Sequence, residues 1–217
     1  MTAPPRLPVV LEPVVGPELG DDTEWSEREI RGELADLAAA DVVITASRLV
    51  RCVLTGSTLP RLELRDCVIE GCDVSGVVLD EARLTRVELR GCRMSGLVLT
   101  RGKLRDVRFV ECRLDEANLR MTSGERVRFD DCDLRGVDFY EARLPEVTLF
   151  GCDLTGAEVS RAHLRGARLH GSKLEDLKGA QALAGAVIDS AQVVVLSRSL
   201  LHALEIEVDD ERDRPVD

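Results

Sequence analysis

The chain has 217 residues, enough for one domain with tails and a sizeable core. Hydrophobic residues make up 44% of it and aromatics only 3%, so the core is expected to be built from small and medium aliphatic side chains, and no apolar run reaches the length of a membrane span. The formal net charge of −11 argues against direct nucleic-acid binding, and the skew of three Lys against 26 Arg fits a GC-rich bacterial genome better than any binding role.

The first 22 residues are Pro-rich and acidic, with five prolines interrupting every apolar segment. They do not read as a signal peptide, and the expectation is a cytoplasmic protein whose N-terminal segment is mobile or draped over the remainder of the chain. Residues 26–39 support two readings. Ser26 with Glu29 forms a capping box, Trp25 with Ile30 a hydrophobic staple, and Ile30, Leu34 and Leu37 share a helix face. Leu34 and Ala39 also fall on a five-residue grid that runs on through the chain, which suggests a degenerate first coil instead. Either reading covers an open end of a stack.

From Ile44 to Leu174 a large apolar residue recurs every fifth position for 27 pentapeptides, with one break at Gly124. Two residues before each stands a compact residue, from Val42 through Ser47 and Cys52 to Ser172. A period of five matches neither a helix nor a simple strand. It matches a chain that turns a corner every five residues and points the same two side chains inward each time. Four corners close a square, so one coil uses 20 residues and successive coils stack at about 4.8 Å.

All seven cysteines occupy the compact class, and Cys52, Cys72, Cys92, Cys112, Cys132 and Cys152 are spaced by 20 residues. Stacking should align them in one inner ladder, as small buried hydrophobes too far apart for disulfides, whose Cβ atoms sit about 3.8 Å apart. Phe109 should lie above Phe129. At "RMTSG" (120–124), Met121 is expected to turn inward to fill the gap at Gly124, or a small bulge to form. Pro60 and Pro145 each come directly after an inward residue, where an extended corner accepts them. Beyond the grid, Asp189 or Ser190 caps a helix whose Val193, Leu196, Leu200 and Leu204 form a stripe, with Leu201 beside it. A strand-like "EIEV" and a charged tail complete the chain. It thus divides into an N-terminal segment and cap (1–40), the repeat (41–180) and a C-terminal helical cap with an acidic tail (181–217).

The units "DEANL", "RGVDF", "YEARL", "TGAEV" and "RGARL" resemble those of the pentapeptide-repeat family, over about 130 of the 217 residues. The resemblance implies an all-β fold, a right-handed quadrilateral β-helix of about seven coils with a C-terminal capping helix. The ending is similar to that of quinolone-resistance members, where a final helix joins two rods end to end. It implies a homodimer through Val193, Leu196, Leu200, Leu201 and Leu204. It also implies an alternative function, mimicry of DNA toward DNA gyrase or topoisomerase IV.

Signatures of catalysis are missing. "GARLHGSK" (166–173) lacks the Gly-Lys-Ser/Thr order of a phosphate loop, and no G-x-S-x-G elbow occurs. Zinc would need closer cysteine pairs. His163 and His170 fall at outward positions. Neither enzyme activity nor a cofactor nor a metal is expected. Against DNA mimicry, residues 41–180 carry 23 acidic and 23 basic side chains, whereas residues 1–40 carry nine and three and residues 181–217 eight and three. The outward column 73, 93, 113, 133, 153, 173 reads Asp, Arg, Arg, Asp, Asp, Lys, so opposite charges can pair between coils. The favoured function is a non-enzymatic, rigid surface for protein–protein interaction, with Tyr140, Phe150, Val78 and Val98 as candidate partner contacts.

Overall fold

A computed structural model describes residues 2–16 and 19–209. The five-residue period becomes a parallel β-solenoid in which each coil pairs with the residues 20 positions away. Leu64, Leu84, Leu104 and Gly124 are partners in successive coils, as are Ile69, Leu89, Phe109 and Phe129. The core is one continuous aliphatic column, and Phe109 stacks on Phe129 with ring centroids 4.6 Å apart and planes 5° apart.

The corner has a conformational cost that explains the outward residue types. From Asp41 to Asp176, every residue two places after a large inward residue has a positive φ, between 46° and 78°. A side chain in that left-handed region costs about 1–2 kcal/mol, so glycine recurs there, as at Gly71, Gly91 and Gly151.

Two kinds of corner shape the square. After Leu54 and Leu59 the corner closes as a turn, with the Ser57 amide donating to the Leu54 carbonyl (3.1 Å) and the Leu62 amide to that of Leu59 (3.4 Å). Pro60 and Pro145 occupy the second position of such turns, and the next residues, Arg61 and Glu146, have φ of 58° and 57°. This is the proline-then-positive-φ order of a type II turn. The other corner is open, so the chain runs through it as one long strand, at Glu63–Glu70, Arg83–Arg90, Lys103–Val110 and Ser123–Asp130. At Leu144–Val147 that corner closes too, and the matching strand shrinks to Thr148–Phe150.

Compact inward residues share a second feature. The Cys72, Cys92, Cys112 and Cys152 thiols each donate to the carbonyl 23 residues earlier, at 3.5–3.6 Å. Thr122 and Ser172 hydroxyls use the same acceptor at 2.7 and 2.8 Å. The cysteines are therefore weak donors as well as buried hydrophobes. All seven are free and buried, and burial pushes the Cys67 thiol up to about 11.

Residues 26–39 are coil of the solenoid, not helix. Strands Glu24–Ser26 and Arg28–Arg31 pair in parallel with Val43–Thr45 and Arg48–Val50, setting Trp25 over Ile44 and Ile30 over Leu49. These pairs are 19 residues apart, whereas Glu33 and Val53 are 20 apart. One residue is missing from the corner between them, where Gly32 has φ 114° and a Cβ would lie 3.0 Å from the Gly16 nitrogen. The ladder buries both Trp25 and Ile30 against the coil above, contact that an isolated amphipathic turn lacks. Strand Glu12–Val15 closes this end by pairing with Arg28–Arg31, and Pro13 lies on the outermost edge, where a missing amide discourages further strand addition.

The break at Gly124 is filled from within. Met121 points outward with φ 57° and 43% exposure, contrary to the expected inward turn, because it occupies the left-handed corner position. Thr122 stays inward and Gly124 keeps strand register opposite Leu104. Val127 of the same coil and Leu144 of the next occupy the space that a side chain at Gly124 would enter. A Cβ on Gly124 would sit 2.6 Å from Val127 Cγ2 and 2.9 Å from Leu144 Cδ2. Gly124→Leu, which restores the repeat pattern, is expected to destabilise the protein by roughly 2 kcal/mol or more through overpacking; a lower urea midpoint checks this.

Candidate interaction surfaces

The outward columns stack at the same spacing as the core, so charge meets charge one coil away. Asp73 pairs with Arg93 (3.7 Å), Arg113 with Asp133 (4.0 Å) and Asp153 with Lys173 (3.1 Å), which takes up the whole of that column. At the left-handed corners the pairs are two-pronged. The Arg86 fork donates to both oxygens of Asp66 at 2.6 Å, and the Arg126 fork to those of Asp106 at 2.6 and 2.8 Å. The Arg126 fork holds the Asp106 carboxyl down at about 2; desolvation opposes it and the Ala3 amide assists. Asp66 is lowered for the same reason by Arg86. Exposed pairs add little stability individually, but they leave few of these carboxylates free to act as a row of phosphates.

The four candidate partner contacts do not form one patch. Val78 and Val98 face each other across adjacent coils, in a column continuing through Asn118 to Asp138, two residues from Tyr140. Phe150 lies half a coil further on. Both aromatics are half-buried beneath cations: Arg120 stands 4.3 Å and Arg161 5.6 Å from the Tyr140 ring centre, and Arg128 stands 5.1 Å from that of Phe150. The exposed His170 meets the Phe150 edge at 5.7 Å. These stacks are cation–π contacts that use the ring faces internally.

At the C-terminal end, a short turn at Ser190–Gln192 leads into helix α1, Val193–Ala203. Asp189 caps the short turn, accepting from the Ala191 amide at 3.0 Å, and ties it to the last coil by accepting from the Gly171 amide at 2.7 Å. Gln192 stands 20 residues after Ser172 and takes over the compact position. Its Nε2 donates to the Leu169 and Ser172 carbonyls at 2.5 and 2.6 Å, capping acceptors that no further coil reaches. The sequence signal for Gln192 was its place on the 20-residue ladder.

The expected stripe on α1 is divided by this docking. Leu196 is buried and Leu200 packs on the rod together with Val195 and Ala203. Val193 and Leu204 remain outside, 54% and 59% exposed, beside Val194 at 72%, with Leu201 half-buried. The anchoring by Gln192 sets this rotation. "EIEV" (205–208) is irregular and exposed, not a strand, because no neighbouring strand pairs with it. The acidic tail from residue 210 lies outside the described residues. Among the described residues, no group of three or more His, Cys, Asp or Glu is placed to hold a metal ion, and no helix is long and apolar enough to cross a membrane. The rod interior leaves only about 50 Å³ between Trp25 and Phe109, too little to enclose a substrate.

The chain belongs to the pentapeptide-repeat family. A model of the pentapeptide repeat region matches residues 42–119, and a model of pentapeptide repeats in eight copies matches residues 108–144 and 142–176. No curated protein matches the sequence. Similar solved structures include full-length QnrB1, described as a plasmid-mediated fluoroquinolone resistance protein, at 18% identity over 88% of this chain and 97% of that one, with a TM-score of 0.46. HetL, a pentapeptide-repeat protein involved in heterocyst differentiation regulation from Nostoc sp. strain PCC 7120, matches at 20% identity over 78% and 91%, with a TM-score of 0.27. At these scores neither likeness carries a functional argument.

The Asp106 shift sets a pH window. A carboxylate whose folded pKa is depressed contributes stability above its unfolded pKa of about 3.9 and loses it as pH falls through the folded value. The contribution should disappear between about pH 4 and 2. In Arg126→Gly, which suits the left-handed corner, the carboxyl titration measured by NMR should move up toward the ordinary range.

Proposed function

We propose that the protein is a non-catalytic rod that works by protein–protein contact, and that it pairs end to end with a second copy through the outer face of α1. The observation that carries this reading is the exposed apolar set Val193, Val194 and Leu204, with Leu201 at its margin, on a helix whose other face is already docked. Apolar side chains grouped at one end of an otherwise charged surface mark a contact site. Leu196 and Leu200 support the helix from beneath and do not face the partner. The acidic ends of two copies would then meet near the two-fold axis, which limits the interface to its apolar centre.

Modulation of gyrase or topoisomerase IV by DNA mimicry is the alternative. The inter-coil pairing of carboxylates with arginines weighs against it along the rod. Sedimentation velocity tests the end-to-end pairing. The wild-type chain is expected to sediment as a dimer at tens of micromolar, and Val194→Glu with Leu204→Glu as a monomer of unchanged circular dichroism. A wild-type monomer at that concentration contradicts it.

A further inference from the structure

The N-terminal segment does not drape at random. The Ala3 amide donates to Asp106 Oδ1 at 2.9 Å, and the Arg6 amide to Asp66 Oδ1 at 3.0 Å. The two sites are copies of each other. In each, a left-handed corner Asp is gripped by an Arg one coil later, Arg126 or Arg86, and the oxygen bound by that Arg Nε also accepts the segment's amide. Each carboxylate is therefore held in place before the segment arrives. The sites are 40 residues apart, two coils, or about 9.6 Å along the rod.

The segment's own geometry matches this ruler. Pro4 and Pro5 lie between the two bound amides. Proline favours the polyproline II helix, which rises about 3.1 Å per residue, so three residues span about 9.3 Å. Those two residues also have no amide hydrogen, so the stretch between the sites contains no donor left without an acceptor. Arg6 adds a positive charge close to Asp66. Past Pro8 the match ends, and Val9 and Val10 stand in solvent.

We propose that the corner column of Asp66, Arg86, Asp106 and Arg126 is a binding groove for an extended x-Pro-Pro-x segment, reading its amides at positions one and four, and that residues 2–8 are its tethered ligand. The groove lies on the rod, away from the α1 end, and does not depend on the dimer.

A chain lacking residues 1–8 exposes the groove. None of residues 2–8 belongs to the buried core, which starts at Trp25, so the truncated chain should fold. Fluorescence anisotropy with a labelled peptide, Thr-Ala-Pro-Pro-Arg-Leu-Pro, should give saturable binding to it. Unlabelled peptide should compete, and the intact chain should bind at least tenfold more weakly. Asp66→Gly with Asp106→Gly removes both carboxylates at corners where glycine is the relaxed residue, and should abolish binding. In the intact chain, hydrogen exchange at the Ala3 and Arg6 amides should be slowed and should speed up in the double glycine variant. No saturable binding at millimolar peptide, binding that survives the double substitution, or unprotected amides in the intact chain would each overturn the proposal.

Discussion

The twenty-residue register is the constraint on which everything else depends. Because each coil repeats the last, a residue's main neighbours are its own equivalents one coil above and below. The core becomes a set of columns: Phe109 on Phe129, Leu84 on Leu104, thiol beside thiol. Holding the register requires a left-handed residue at every corner, and it brings a carbonyl within reach of the compact residue 23 positions later. That carbonyl explains why Cys, Ser and Thr exchange at the compact position, and why Gln192 ends the series.

The same register governs the surface. Side chains that point outward also meet their equivalents at coil spacing, so a column of mixed sign resolves into ion pairs and a column of one sign would repel itself. In this rod the pairs form along the column from Asp73 to Lys173 and at the Asp66 and Asp106 corners, whereas the column Arg83, Lys103, Ser123, Arg143 and His163 carries no acid. The excess of acid lies in the terminal segments, and the most exposed large apolar side chains belong to them too: Val9, Val10 and Val15 in the first, Val193, Val194 and Leu204 in the last. On the rod itself the exposed apolar side chains stand singly, as Val53 and Met121 do, whereas those on α1 are grouped. The corner column of Asp66 and Asp106 is different, since there the carboxylates also accept amides from a segment outside the ladder.

The period of five made the solenoid, the cysteine column and the phenylalanine stack legible from residues alone, because stacking in register turns sequence spacing directly into contact. Features outside a strict period were harder to see. A single missing residue near Gly32 shifts Trp25 and Ile30 off the grid, and their remaining spacing imitates a helix start. The gap at Gly124 suggested that Met121 turns inward, but the left-handed corner forces Met121 out, and Val127 and Leu144 close over the glycine. The stripe on α1 was visible as a pattern. Its division between rod and solvent depends on the hydrogen bonds of Gln192, a long-range contact that helix periodicity does not encode. The candidate contacts Tyr140 and Phe150 are half a coil apart, and each is stacked with arginine from an adjacent coil, which only the closed square reveals.

The central functional claim is that the rod acts through protein contact and not through a DNA-like row of charge. Gyrase supercoiling in the presence of the purified protein, across a salt series and with a fluoroquinolone added, tests it most directly. A rod of this kind should leave supercoiling and drug action unchanged at concentrations well above that of the enzyme. Inhibition that weakens as salt rises, or protection from the drug, would contradict it.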